Sequence, residues 1–389
     1  MIGRNALCAC AAAGLLLCGQ PGIAALAGHH AATPDARFAA AFAEVDKWVA
    51  AKAFPGAVLA VGQHGRIIAL KAFGRMSVAE GAPPMPADAI FDMASLTKVV
   101  ATTSAAAILY DRGKLDLDAP VMRYLPEFAG TTGHDRITVR HLLTHSSGLK
   151  PSGVFWSKAK DRQGILAQIY ALPASDAPGA VYKYQDFNII LIGEIVARIS
   201  GQPLDRFVRR EVFGPLGMTD TGFNPRPSAR IVPTEQDDVL RHALVRGVVH
   251  DENAYLMGGV AGHAGLFSTA RDLAKLAQMY LNGGTYRGKR LLRAGTVALF
   301  RSAQGIPADS SRALGWDMPP GAGWAGPLAS RHAIMHTGFT GTSIYIDPDR
   351  DAFVILLTNR VNPTRDNLLI NQARPAIHSA VLEALDKGK

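Results

Sequence analysis

Strand-like runs stand at both ends of the chain and helix-like runs fill its middle, an order that leaves few folds open. Near the start, Ala57-Val58-Leu59-Ala60-Val61 and Ile67-Ile68-Ala69-Leu70 are short aliphatic runs around a turn at Gln63-His64-Gly65. Near the end, residues 333–336, 342–347 and 353–358 read the same way, with the polar turn Asp347-Pro348-Asp349-Arg350-Asp351 between the last two. Helical spacing marks residues 36–53 (Phe38, Phe42, Val45, Trp48, Val49), which Pro55-Gly56 closes. It recurs over 95–111, 138–145, 188–199, 204–212, 270–281, 294–301 and 367–385. The order predicts an α+β fold: one antiparallel sheet built from both chain ends and flanked by helices, with an all-α insertion as the second wall of a cleft. The sheet part is expected over about 34–92 and 305–388 and the mainly helical part over about 93–304. The polar loop 224–252 is long for a compact domain and is expected to cover a site.

The first 27 residues read as a leader rather than fold. Arg4 gives a positive start, residues 6–17 are apolar but too short for a stable span, and Ala25-Leu26-Ala27 resembles a signal-peptidase site with cleavage before Gly28. A single domain, 28–388, would remain, periplasmic or secreted. Leu7-Cys8-Ala9-Cys10 loosely fits a lipid-attachment box, but the apolar run before Cys10 is too short for one. Cys8, Cys10 and Cys18 all lie in the leader, so an exported mature chain would hold no disulfide and would depend on its core. No later stretch is apolar and long enough to predict a membrane span. The net charge of +9 comes from scattered Lys and Arg, with no basic run of five and no aromatic-interleaved stripe, which argues against a nucleic-acid partner. A monomer is expected.

Chemistry concentrates in three places. Ser95-Leu96-Thr97-Lys98 opens the helix predicted over 95–111, so Ser95 and Lys98 share a helix face one turn apart. Ser147-Gly148-Leu149-Lys150 and Ser157-Lys158-Ala159-Lys160 match the same pattern, but neither runs into a helix. A serine hydroxyl needs a base, and a buried lysine can serve if its pKa falls toward neutrality. Taken alone, Ser95 could equally be a helix cap. Tyr184-Gln185-Asp186 precedes a second helix; a tyrosine near a lysine cation can relay a proton. Tyr182 lacks the spacing to a following Asp. His336-Thr337-Gly338-Phe339-Thr340-Gly341 ends a predicted strand, where a backbone N–H could join that of Ser95 in an oxyanion hole; alone it would read as a glycine-rich turn.

Together, in this order, the three motifs resemble the serine-reactive fold of penicillin-binding proteins and class C β-lactamases. Intervening blocks are similar as well: residues 137–149, Pro215-Leu216-Gly217-Met218 and residues 258–268. Residues 249–254 look most like penicillin-binding protein type 4B and its D-alanyl-D-alanine carboxypeptidase-like relatives. The resemblance covers about residues 36–388. It implies a serine hydrolase with no cofactor, in which Ser95 is acylated, Lys98 accepts or shuttles its proton, and Tyr184 protonates the leaving group and helps activate water. It further implies an oxyanion hole from the N–H groups of Ser95 and Phe339, with Asp186 and Thr337 contacting substrate.

Two departures shape the expected substrate. His336 stands where class C β-lactamases carry Lys, and a mostly neutral imidazole anchors a β-lactam carboxylate weakly. Asp186 replaces the Asn of many members and accepts hydrogen bonds without donating. Three acyl donors compete: the D-Ala-D-Ala end of peptidoglycan peptides, small esters and β-lactams, with export and the type 4B likeness favouring the first. A zinc hydrolase is the rival class, because His141 and His145 have i, i+4 spacing and His250, Asp251 and His263 lie close. No His-Glu-x-x-His occurs, however, and both of the first pair suit structural places on a helix. No Gly-x-Ser-x-Gly pentapeptide supports an α/β-hydrolase.

Overall fold

A computed structural model describes residues 36–321 and 323–387; the leader assigned to 1–27 lies outside the described residues. The sheet has five antiparallel strands, β1 (Gly56–Gln63), β2 (Arg66–Gly74), β3 (Ile334–Thr337), β4 (Ser343–Asp347) and β5 (Ala352–Thr358), in the order β3-β4-β5-β1-β2. The two chain ends meet where β1 pairs with β5, from Ala57 opposite Thr358 to Gln63 opposite Ala352.

β1, β4 and β5 are buried along their whole length because both faces of the sheet are covered there. Successive side chains point to opposite faces. Leu59, Val61, Val354, Leu356 and Tyr345 meet α1 (Ala39–Ala50) and the C-terminal helix on one side. Val58, Ala60, Ile344, Ile355 and Leu357 join the larger core of the helical body on the other. That body contains α2 (Ser104–Asp111), entered through a π-type turn over Lys98–Thr103, then α3 (Asp186–Ser200) and α4 (Ala270–Leu281). The last helix is α5 (Ile370–Asp386). Thr269 caps α4 by accepting the Asp272 N–H, which sets the start of a helix that the spacing places at the same residues.

Two features differ from the expected layout. Three short strands, Phe91–Asp92, Leu266–Ser268 and Gly222–Phe223, form a separate small sheet. A helix over Arg162–Tyr170 is capped by Asp161 through the Gly164 N–H, at 2.9 Å. No described helix is long and apolar enough to cross a membrane.

α5 seals the sheet with a buried histidine. His378 lies 3.2 Å from the Ser343 hydroxyl through Nε2, and its ring meets Trp324 and Tyr345. Burial, reinforced by the Arg374 charge, pulls its pKa down to about 3. The folded state therefore refuses a proton that the unfolded chain accepts near pH 6.5, so stability is lost as the pH falls below about 6.5. From pH 7 to pH 5 the loss from this one residue is about 2 kcal/mol. We predict that His378→Gln, compared with the parent protein by thermal melts at both pH values, shows a smaller drop in Tm on acidification; equal drops would refute the assignment.

Candidate active site

After the small strand Phe91–Asp92 the chain turns sharply, and Ala94 takes φ +44°, a left-handed conformation unusual for a residue with a Cβ. Asp92 holds this turn. One carboxylate oxygen accepts the Ala94 N–H at 2.8 Å, the other accepts the His250 N–H at 2.7 Å, and its carbonyl accepts the Thr340 hydroxyl at 2.7 Å. Burial pushes the Asp92 carboxyl up, against the pull of the two amides. Ser95 follows at the entrance to the helix, with the Lys98 N–H donating to its carbonyl at 3.0 Å.

Lys98 is fully buried. Its Nζ donates to Ser95 Oγ at 2.7 Å and to the His263 carbonyl at 3.1 Å, and stands 2.8 Å from Asp186 Oδ1. The Lys98 ammonium also lies 5.1 Å from the Tyr184 ring centroid. Ser95, Lys98, Tyr184 and Asp186 thus form one connected group. The expectation that burial would neutralise the lysine does not hold. Burial does pull its pKa down, but Asp186 and then Tyr184 outweigh it, and the group ends above its ordinary value. Burial pushes the Tyr184 phenol up, against the pull of Lys98. In the unliganded site Lys98 is an ammonium and Tyr184 a neutral phenol. Asp186, expected to face the substrate, points its carboxylate at Lys98.

The third motif completes the cleft. His336 is buried, and its Nδ1 lies 2.8 Å from the Thr337 carbonyl, so Nδ1 carries the proton. Burial drives its pKa down to about 4, so it is neutral at pH 7 and offers no charge to a carboxylate. The turn after β3 is strapped to the nucleophile segment by the Thr340 hydroxyl on the Asp92 carbonyl and the Thr342 hydroxyl on the Met93 carbonyl, at 2.7 and 3.1 Å. Neither the Ser95 nor the Phe339 N–H is spent on another protein group among the described residues. Both are available to an oxyanion. Ser95, Tyr184, His336, Thr337, Gly338 and Phe339 all line one cavity of about 760 Å³.

Several residues of this site carry no clear signal in the sequence. His145, expected to be a structural helix-end histidine, has φ +54° and is buried. It stacks on Tyr184 at 4.6 Å and accepts the Gln185 N–H at 3.1 Å, so it orients the tyrosine segment. Burial, then the charges of Arg312 and Lys98, hold its pKa well below the usual value. His263 reaches Lys98 through its carbonyl because Gly262 lies against α3, where a Cβ would sit 2.1 Å from the Ile189 carbonyl. The His263 ring pairs with Asp251 at 2.8 Å. Although burial raises the Asp251 carboxyl, His263 and the Ala254 N–H outweigh it, and its pKa falls below the carboxylate range.

Asp186, Asp251 and His263 bring ligand atoms within 4.8 Å of one another, a set that taken alone would suit a divalent cation. The Lys98 ammonium already supplies positive charge there. His141 lies elsewhere, capping a short helix with Thr138. The loop 224–252 contributes nothing to the cavity wall; it acts from behind, where His250 stacks on Phe339 at 5.7 Å. Ser147 is buried away from the cavity, and Ser157 donates to the Val154 carbonyl at 3.0 Å.

The β-lactamase family model matches residues 37–378. The chain belongs to the β-lactamase family. This β-lactamase-family protein is a serine hydrolase by that membership. It is 34% identical over 357 residues to an Escherichia coli K12 protein named "Putative D-alanyl-D-alanine carboxypeptidase", covering 82% of each chain. It is 37% identical over 346 residues to a Bacillus subtilis protein named N-acetylmuramyl-L-alanine amidase, covering 80% of this chain and 78% of that one. Its fold is similar to that of a penicillin-binding protein homologue from Caulobacter crescentus, with a TM-score of 0.73 at 21% identity, over 90% of this chain and 98% of the other.

The tight turn at Gly338 yields a prediction. A Cβ there would sit 2.1 Å from Thr342 Oγ1 and 2.4 Å from the Met93 carbonyl. Gly338→Ala must displace the turn that presents the Phe339 N–H. We expect kcat/KM for a p-nitrophenyl ester to fall about 100-fold, the scale of losing one oxyanion donor, with circular dichroism unchanged. Undiminished activity would remove Phe339 from the site.

Proposed function

We propose that this protein is an exported hydrolase that acts through an acyl-enzyme on Ser95, with the D-Ala-D-Ala end of peptidoglycan peptides as its substrate. The observation that carries the chemistry is the contact of Lys98 Nζ with Ser95 Oγ at 2.7 Å and with Asp186 at 2.8 Å. Ser95 Oγ attacks the acyl carbonyl, whose oxygen is held by the Ser95 and Phe339 N–H groups. Lys98, already an ammonium, acts as a shuttle: it passes a proton to Asp186 and takes the one that leaves Ser95. Tyr184 gives its proton to the leaving amine and is reprotonated from Lys98. In the second half, water loses a proton through the same chain and releases the acyl group from Ser95.

The carboxypeptidase-named relatives and the leader over residues 1–27 support the substrate and an envelope location, periplasmic or secreted, where the chain acts as a monomer. A second reading draws on the relative named for N-acetylmuramyl-L-alanine amidase activity, which is as similar as the first. Both readings hydrolyse an amide of alanine in the cell wall and use the same group of residues. Small esters follow as a side activity. β-Lactam turnover ranks last, because neutral His336 supplies no charge to the β-lactam carboxylate.

A fluorescent penicillin or fluorophosphonate should label the protein, and Ser95→Ala should abolish labelling while keeping the melting transition. Persistent labelling of that variant would sink the assignment of the nucleophile. A panel of a D-Ala-D-Ala tripeptide, an N-acetylmuramyl-L-alanine peptide, p-nitrophenyl acetate and nitrocefin then orders the substrates. Turnover of nitrocefin alone would reverse this ranking, and activity lost on chelation and restored by zinc would revive metal catalysis.

A further inference from the structure

Phe339 carries one of the two amides open to an oxyanion, yet the residue itself is half exposed. Its neighbours in the turn are strapped down: the Gly338 N–H donates to the Thr342 carbonyl at 2.8 Å, and the Thr340 hydroxyl to the Asp92 carbonyl at 2.7 Å. Phe339 depends on its own carbonyl and ring. The carbonyl accepts from Arg360 Nε at 2.7 Å. The ring stacks on the His250 imidazole, 5.7 Å between centroids and 27° between planes, and the Arg360 guanidinium stands 4.3 Å from its centroid. Among the described residues it joins no apolar core cluster.

The imidazole beneath it is fixed at both ends. The His250 N–H is one of the two amides on the Asp92 carboxylate, and Nε2 lies 2.8 Å from Glu235 Oε2. Both His250 and Glu235 are buried. Burial raises the Glu235 carboxyl, but His250 and Arg365 outweigh it and bring its pKa down to about 2. Glu235 is therefore an anion at neutral pH, and His250 Nε2 donates the proton that it accepts. Glu235 is tied in turn to the segment after β5. Arg365 donates to both of its oxygens, at 3.0 and 2.5 Å, and reaches Glu252 at 2.7 Å. The Asn362 side chain donates to the Thr234 carbonyl at 2.8 Å, and the Gln236 N–H to the Pro363 carbonyl at 2.9 Å.

A buried imidazole held this way has one orientation, and a ring stacked on it takes its position from that plane. Moving the Phe339 ring swings the peptide that carries its N–H, and a misplacement of about 1 Å is costly to a preorganised site. The loop 224–252 has no residue in the cavity wall, so its route to the reaction is this stack. We propose that His250 is a positioning residue for the oxyanion: its ring, locked by Glu235, places the Phe339 amide, so that the loop 224–252 sets the rate of acyl transfer rather than the choice of acyl group. The inference rests on the reading of the Phe339 N–H as an oxyanion donor.

Substitutions on both sides of the stack test it. His250→Gln keeps an N–H donor for Glu235 without the ring, and His250→Phe keeps a flat ring without the donor. His250→Gln should lower kcat and kcat/KM together by about tenfold, a part of what one oxyanion donor is worth, and by the same factor for p-nitrophenyl acetate and p-nitrophenyl butyrate. His250→Phe should recover most of that loss. Phe339→Ala removes the other ring at an exposed position and keeps the amide. It should lower kcat about as much, and adding His250→Gln to it should cost nothing further. Affinity for phenylboronic acid should fall in step with kcat: boron binds the Ser95 oxygen, the serine proton passes to the Lys98–Asp186 pair, and the tetrahedral anion sets an oxygen against the two amides. Activity kept in His250→Gln but lost in His250→Phe overturns the proposal, as does full kcat in Phe339→Ala or a loss that differs between the two esters. Phe339→Ala alters no buried side chain, so misfolding of a His250 variant leaves the test standing. Full activity in Gly338→Ala as well would instead refute the reading of Phe339 as a donor.

Discussion

A lysine ammonium with no exposed surface organises this protein. Lys98 cannot be buried alone, because an uncompensated charge in the interior costs several kcal/mol. Its compensation comes from two distant stretches of chain: Asp186 at the start of α3 with Tyr184 two residues before it, and the His263 carbonyl in the glycine-rich segment. Behind them stands a second pair, His263 with Asp251. Satisfying one cation thus fixes how α3 and the 251–263 segment sit on the helix that carries the serine. The same contacts settle the resting protonation of the site. Lys98 begins as an ammonium, so its part is to pass protons between Ser95 and Asp186 rather than to wait as a neutral amine.

A second constraint joins the sheet to that charged group. The turn after β3 could swing freely if only β4 held it. Two threonine hydroxyls bind it to the carbonyls of Asp92 and Met93, immediately before Ser95. Asp92 also carries the left-handed turn at Ala94 and the amide of His250. One buried residue, through its carboxylate on the Ala94 and His250 amides and its carbonyl on Thr340, therefore sets the relative position of the Ser95 and Phe339 amides, the donors an oxyanion needs. The loop 224–252 enters at this level, through His250 against Phe339, and shapes the cleft from behind.

The long elements were legible because their spacing is strong. The periodicity over 270–281 and 294–301 gives the helices their observed bounds, and the aliphatic runs near both ends give all five strands of the main sheet. What was missed is short or non-local. Strands such as Phe91–Asp92 and Leu266–Ser268 hold too few residues to show a period. The Arg162–Tyr170 helix has a weak apolar face, and its one clear signal was Asp161 as a cap. His145 and His263 looked like candidates for a metal site because only sequence distance was visible. Their places, stacked on Tyr184 and paired with Asp251, depend on folding.

The sequence by itself determined the kinds of groups available and the order in which they arrive: a serine and lysine one helical turn apart, a tyrosine and aspartate ahead of a helix, and a histidine-threonine-glycine turn after a strand. Local spacing suffices for that, because helix and strand periods are short-range properties of the chain. Only the tertiary structure decided the charge state of Lys98 and the neutrality of His336. Each depends on burial and on neighbours tens to hundreds of residues away, and electrostatic energy in a low-dielectric interior follows distance in space rather than distance along the chain.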